Sequence, residues 1–252
     1  ILHEVAARHP GRTILLSIET EDVRPPRAWV NMVCHPGGRG EPQVCSEQLV
    51  LAGPAGALHE LVASVAGLLV ADLPAFLWWR GQPPESEVEQ ERFHHLADVV
   101  ERVLLDSAPY DAGQLVRAAA LARAYRRVAF SDLNWARLTP WRAAVAQCFD
   151  PPAHQALLPS LGEARIFCAG GAPTAAARLI GGWLRSRLRE SLPVELVAGA
   201  ADQLELHFPS ACFRIARPAG PSDSAALAEE FRILGRDRVF EEAIEAATTL
   251  DD

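Results

Sequence analysis

The twelve residues Ser131-Asp132-Leu133-Asn134-Trp135-Ala136-Arg137-Leu138-Thr139-Pro140-Trp141-Arg142 constrain this chain more than any other stretch. Thr139-Pro140 is a helix start, because a threonine hydroxyl accepts from the first free backbone N–H groups and proline loses nothing at the first helical position. Asp132 suits the same capping role for a short helix just before it. Two helical pieces meeting at Leu138-Thr139 are therefore expected. Trp135, Leu138 and Trp141 fall at steps of three, along one face of that path. Arg137 and Arg142 bracket the second helix's N-terminus, where unpaired N–H groups and the positive dipole end favour an anion. Two roles stay open on these residues. One is a helix corner, with tryptophans in the core and arginine stems lying over them. The other is a partner or anion seat formed by Asp132, Asn134, Trp135, Arg137, Thr139, Trp141 and Arg142.

The rest of the chain supplies α/β punctuation around that stretch. Residues 13–18 form an apolar run of strand length, expected to be buried on both faces. An acidic loop at 19–22 follows. Residues 28–34 and 43–51 read as two strands of an antiparallel hairpin joined by the Gly- and Pro-rich segment 36–42. Leu58, Leu61, Val62, Val65, Leu68 and Leu69 recur at helical spacing, and Asp72-Leu73-Pro74 stops that helix. Residues 75–79 then read as a buried strand in βαβ order. Its C-terminal end carries Trp79 and Arg80, in the place where α/β folds put ligand and partner contacts. Residues 103–107 form another strand ending in Asp106 and Ser107, 112–126 a helix, and 128–130 a short strand. Asp150-Pro151-Pro152 marks a linker. Beyond it come a strand at 164–169, a helix after Gly170-Gly171-Ala172-Pro173-Thr174, strands at 194–198, 203–208 and 212–217, and two closing helices. The fold class expected is α/β: a mixed, mostly parallel sheet flanked by helices in residues 1–149, and a smaller α/β (α+β) domain in 150–252.

The net charge of −8 argues against a nucleic-acid footprint, which needs a basic face. The 20-residue stretch 58–77 is interrupted by His59, Glu60, Asp72 and Pro74, so no membrane span is expected. No leader is expected either, and a cytoplasmic protein is the reading. Five scattered cysteines (Cys34, Cys45, Cys148, Cys168, Cys212) never form Cys-x-x-Cys and read as small buried thiols. Cys34 and Cys45 face each other if the hairpin forms, but they are expected to stay reduced.

Catalytic groupings are missing. There is no Gly-x-Ser-x-Gly elbow, no phosphate loop ending in Gly-Lys-Ser/Thr, no His-Glu-x-x-His and no Gly-x-Gly-x-x-Gly. Every one of the 24 basic residues is arginine, which excludes lysine-based mechanisms. His94-His95 point to opposite sides, and His3, His35, His59, His154 and His207 have no suitably spaced partners. No enzyme activity, metal or cofactor is expected. A hydrolase or lactonase on this scaffold would lack its catalytic set.

Asp132-Leu133-Asn134-Trp135-Ala136-Arg137-Leu138-Thr139-Pro140-Trp141-Arg142 resembles the hallmark segment of the glucose-6-phosphate dehydrogenase assembly protein family, OpcA. Val44-Cys45-Ser46-Glu47 agrees with it, as does Asp72-Leu73-Pro74-Ala75-Phe76-Leu77-Trp78-Trp79 followed by Gly81. His9-Pro10-Gly11-Arg12 is similar to the family's His-Pro-Ser-Arg, with Gly11 in place of a small hydroxyl residue. Distinctive words run from about His9 to Arg142. The resemblance implies a bacterial, non-catalytic protein that binds glucose-6-phosphate dehydrogenase, promotes its active oligomer and activates it allosterically in the oxidative pentose phosphate pathway. It also implies that a strand preceding Ile1 is absent here. The alternative left open by the residues is a sugar-phosphate or other anion-binding protein with its seat at Arg137, Thr139 and Arg142.

Overall fold

The computed structural model describes residues 1–6, 8–19, 25–35 and 44–250. The elements in order are α1 (Leu2–Ala6), β1 (Arg12–Glu19), β2 (Arg27–His35), β3 (Val44–Pro54), α2 (Leu58–Val65), β4 (Phe76–Trp78) and α3 (Glu87–Ala97). They continue with β5 (Arg102–Leu105), α4 (Ala112–Ala124), β6 (Ala129–Asp132), α5 (Leu133–Arg137), α6 (Thr139–Gln147), α7 (Pro152–Gln155) and β7 (Glu163–Ala169). The last are α8 (Ala175–Arg187), β8 (Val194–Gly199), β9 (Gln203–Phe208), β10 (Ala211–Ala216), α9 (Asp223–Glu230) and α10 (Arg238–Ala247). Helices alternate with mixed sheets, so the class is α/β. The strands β4, β5 and β6 form a three-stranded sheet with β5 in the middle. That position accounts for the complete burial of all four β5 residues. Among the described residues, no helix is long and apolar enough to cross a membrane.

The chain forms two compact units, each assembled from non-consecutive segments. The first comprises Ile1–Leu77, Pro84–Val103 and Asp223–Leu234. Its sheet has the order β1-β3-β2, with β3 parallel to β1 and antiparallel to β2. Val50, Leu51 and Ala52 of the central strand are buried. The apolar run of β1 is not buried on both faces: Thr13 to Leu16 are half-buried and Ser17 and Ile18 exposed, as suits an edge strand. Antiparallel register sets Cys34 directly opposite Cys45, and the two form a disulfide. The expectation of five reduced cysteines is thereby corrected, and Cys212 is exposed rather than buried. The acidic loop from residue 20 and the 36–42 connection lie outside the described residues.

In the same unit, α2 buries Leu61, Val62 and Val65 but ends at Val65. Ala66 to Leu68 tighten into a 3-10 turn, so Leu69 does not extend the helical face as its spacing suggested. A reciprocal cap between Ser86 and Glu89 starts α3, which buries Phe93 and Leu96 and leaves His94 and His95 exposed. The short strand β4 is half-buried, not buried throughout, because it lies at the edge of its sheet. Arg102 is completely buried and its Nη1 lies 3.3 Å from Oε2 of Glu230 on α9. Phe231 packs nearby against Phe76, with ring centres 4.9 Å apart.

The second unit comprises Trp78–Pro83, Leu104–Ser222 and Gly235–Asp252. Its sheet runs β10-β9-β7-β8, with β7 parallel to β8 and antiparallel to β9. Thr174 caps α8 by accepting from Ala177 N. One face of that helix packs so closely on α10 that a Cβ at Gly182 would lie 2.1 Å from the Ala243 carbonyl oxygen. Arg178, buried on α8, donates to the Leu250 carbonyl at 2.9 Å.

Candidate functional site

Strand β6 delivers Asp132 to the start of α5, where its Oδ1 accepts from Asn134 N at 3.0 Å. The cap expected of Asp132 is therefore present. The cap expected of Thr139 is not. A single residue, Leu138, closes α5 and opens α6 in helical conformation, so Thr139 and Pro140 already lie inside the helix. Freed from capping, the Thr139 hydroxyl accepts from Arg142 Nη2 at 3.0 Å.

The three apolar anchors at steps of three do reach the core. Trp135 and Trp141 are 2% and 1% exposed, and Leu138 is fully buried. Trp135 donates from Nε1 to Asp237 Oδ2 at 3.0 Å, and its ring centre lies 5.9 Å from that of Phe240. Arg142 lies over Trp135, with its guanidinium carbon 3.5 Å from the ring centre, and donates to the Trp135 carbonyl at 2.7 Å. Both contacts use the planar, delocalised character of guanidinium. Arg217 approaches the Trp141 ring at 5.8 Å and pairs with Asp202 at 2.8 Å. A Cβ at Gly220 would meet the Arg137 carbonyl at 2.6 Å, so only glycine lets that segment lie against the corner.

Beneath the corner lies a buried polar knot. Asp132 accepts from Ser107 N at 2.9 Å and from the Ser107 hydroxyl at 2.5 Å, while Asn134 Nδ2 donates to Ser107 Oγ at 3.1 Å. Burial pushes the Asp132 carboxyl above its ordinary range, and the hydrogen bonds from Ser107 and Asn134 only partly offset this. Both Ser107 and Asp132 are 1% exposed, and the bonds described tie them to one another, to the Asn134 side chain and to the adjoining backbone. The knot is thus a brace. Arg137 closes it from outside: its two terminal nitrogens bond the two oxygens of Asp106 at 2.8 and 2.9 Å. A bidentate pair of this kind fixes orientation as well as charge.

Trp79 and Arg80 are positioned by a different contact. The Tyr110 hydroxyl donates to the Gly81 carbonyl at 2.8 Å, which holds the 78–83 segment. Burial raises the Tyr110 pKa, so the hydroxyl keeps its proton for that bond. Gly81 has φ of 101°, a conformation that glycine adopts without strain. Trp79 Nε1 donates to Gln82 O at 2.9 Å, and the exposed Arg80 lies 5.2 Å from the Trp78 ring centre. The nine singled-out residues thus divide by exposure. Asp132, Asn134, Trp135 and Trp141 are buried, Arg137, Arg142 and Trp79 half-buried, and Thr139 and Arg80 exposed. Sequence reasoning missed Asp237 and Tyr110, which hold the corner and the loop. The strand-end pair Asp106 and Ser107 was visible, but not what it would bind.

His207, isolated by sequence spacing, is not isolated in space. It faces Cys212 across the β9–β10 hairpin, and its Nε2 lies 3.1 Å from Glu205 Oε2.

Residues 2–123 match the family model described as the glucose-6-phosphate dehydrogenase subunit N-terminal domain, and residues 128–221 match its C-terminal counterpart. The chain belongs to the OpcA family. Three cyanobacterial relatives carry the name OxPP cycle protein OpcA. That from Nostoc punctiforme is 32% identical over 212 residues, covering 82% of this chain and 44% of the relative. That from Synechocystis is 28% identical over 75% of this chain and 39% of the relative. The Synechococcus elongatus protein is 29% identical over 73% of this chain and 41% of the relative. This OpcA-family chain therefore spans less than half the length of the curated relatives it matches.

Proposed function

We propose that this chain is a non-catalytic assembly factor and allosteric activator of glucose-6-phosphate dehydrogenase, acting in the cytoplasm within the oxidative pentose phosphate pathway. The observation that carries the reading is the match of two consecutive models, both described as domains of a glucose-6-phosphate dehydrogenase subunit, over residues 2–123 and 128–221. The site geometry supports it in a second way. Asp106 and Ser107, the strand-end pair that could assist acid–base work, are each engaged: Asp106 holds Arg137 through both oxygens, and the buried Ser107 hydroxyl donates to Asp132. An activator of this kind binds the competent state of the dehydrogenase better than the incompetent one and shifts the population by that difference.

The contact surface we assign is the rim of the α5–α6 corner, Thr139, Arg142 and Arg137, with Arg80 and Trp79. Asp132, Asn134, Trp135 and Trp141 act from beneath by fixing the rim. Trp and Arg suit such a surface because they bury area and bond directionally. The test is to mix the purified chain with the cognate dehydrogenase on a sizing column while following its rate. The chain alone should turn over no glucose 6-phosphate, should co-elute with the enzyme and should raise its rate. Arg142→Gln loses its stacking on Trp135 and should melt below the parent, yet at a temperature where both are folded it should still activate weakly. Turnover by the chain alone, or no effect on the dehydrogenase at saturating ratios, sinks the reading. Full activation by Arg142→Gln at every enzyme concentration removes the rim assignment alone.

A further inference from the structure

The β9–β10 hairpin places three side chains of metal-binding type on one face of its sheet. Residues directly opposite in an antiparallel pair share a face, as do residues two apart on one strand. Cys212 is opposite His207, and Glu205 lies two residues before His207. One ligand atom from each of Glu205, His207 and Cys212 lies within 4.8 Å of the other two. His207 Nε2 is 3.1 Å from Glu205 Oε2 and 4.0 Å from Cys212 Sγ. Ligands around a tetrahedral zinc sit roughly 3.3 Å apart for a nitrogen–oxygen edge and roughly 3.6 Å for a nitrogen–sulfur edge, given bonds of about 2.0–2.3 Å. The two edges at His207 stand close to that spacing, and the carboxylate oxygen and the sulfur lie within 4.8 Å of each other.

The surroundings orient the set. Arg214 Nε and Gln203 Nε2 take the other carboxylate oxygen, Oε1, at 2.7 and 3.2 Å, which turns Oε2 toward His207. Hydrogen bonds to the far side of a ligand in this way fix its direction. The opposite face of the hairpin is pinned by aromatic packing: Phe213 lies 5.2 Å from Phe208, 5.9 Å from Phe149 and 4.7 Å from the His154 ring. The Gly162 amide also donates to the His207 carbonyl at 2.9 Å. Backbone and ligand vectors are thus held before any ion arrives.

We propose that Glu205, His207 and Cys212 bind a zinc-class divalent cation. Thiolate, imidazole and carboxylate together suit Zn²⁺ and its spectroscopic substitute Co²⁺ far better than Mg²⁺ or Ca²⁺, which demand all-oxygen sets. Binding releases the Cys212 thiol proton to solvent and breaks the contact of His207 Nε2 with Glu205, with the imidazole proton held on Nδ1 so that Nε2 coordinates as a neutral donor. Three protein ligands leave the fourth tetrahedral position to water. The ion clips β9 to β10.

The test uses the full chain, stripped with a chelator and titrated with Co²⁺ under argon, without a thiol or phosphine that would open the Cys34–Cys45 bond. One equivalent should bind and produce the near-ultraviolet thiolate-to-cobalt charge-transfer band, and Zn²⁺ should abolish that band by displacement. Cys212 is exposed, so Cys212→Ser leaves the core intact and should remove the band. His207→Gln should weaken binding by at least about tenfold, and Cys148→Ser should leave it unchanged. No saturable binding, a band that survives Cys212→Ser, or unaltered affinity in His207→Gln overturns the site. If His207→Gln does not fold, Cys212→Ser alone decides.

Discussion

At the scale of single residues, Asp132 and Arg137 have opposite electrostatic tasks. Asp132 is buried and its pKa is raised above the ordinary 3.8, chiefly by desolvation. Between 3.8 and the raised value, the folded chain holds a proton that the unfolded chain has released. Stability contributed by this group therefore falls as pH rises through that window. Asp132→Asn removes the titration while keeping an acceptor for the Asn134 and Ser107 amides. The melting temperature of the parent relative to Asp132→Asn should accordingly decline as pH is raised from 3.8. A gap that widens in the parent's favour would mean that hydrogen bonds, not burial, govern the carboxyl. Arg137 is 16% exposed and its partner Asp106 29%, so water screens the pair in part. Arg137→Gln should cost ~1–2 kcal/mol, more than a fully exposed pair and less than a fully buried one. A urea titration with unchanged slope checks it.

Elements show where sequence patterns reached and where they stopped. The α5–α6 corner was legible because Asp132, Thr139-Pro140 and the three-residue spacing of Trp135, Leu138 and Trp141 are local signals. Its one error, the Thr139 cap, arose because α5 and α6 share Leu138 as a common end, leaving no extended residue between them. The β2–β3 hairpin was equally local, and its register made the Cys34–Cys45 bond that composition argued against. Edge position was not legible. The strands β1 and β4 carry apolar runs like those of buried strands, and only the sheet order shows that, among the described residues, each pairs on one side alone. The Glu205, His207 and Cys212 cluster needs the hairpin register before the five-residue gap between His207 and Cys212 becomes a face-to-face pair. Two variants probe packing at this scale. Replacing Trp135 or Trp141 by alanine should cost ~3–5 kcal/mol and lower soluble expression. Gly182→Ala should cost ~1–3 kcal/mol through overpacking, since the α8–α10 contact leaves no room for a methyl group. If Gly182→Ala melts like the parent, the two helices separate more easily than this packing allows.

At the scale of the whole molecule, the two compact units interleave along the chain, and the first is completed only by Asp223–Leu234. The buried pair of Arg102 with Glu230 belongs to that closing step. Glu230→Ala leaves a charge in the interior and should cost ~3–5 kcal/mol. The double variant Arg102→Met with Glu230→Leu should recover most of that loss, and chemical denaturation of the parent, of Arg102→Met and Glu230→Leu singly, and of the double variant measures the coupling. Additive losses would show that the two residues stabilise the unit separately. The 128 positions between these partners also set a clock. At roughly 5–20 residues per second, a ribosome needs about 6–25 s to travel from one to the other. Through that interval the nascent chain carries an arginine destined for the interior whose carboxylate has not yet been made. The unit that holds Arg102 is therefore completed late, and synthesis pauses placed between the codons for Arg102 and Glu230 prolong the wait of that arginine for its partner, whereas pauses before Arg102 do not.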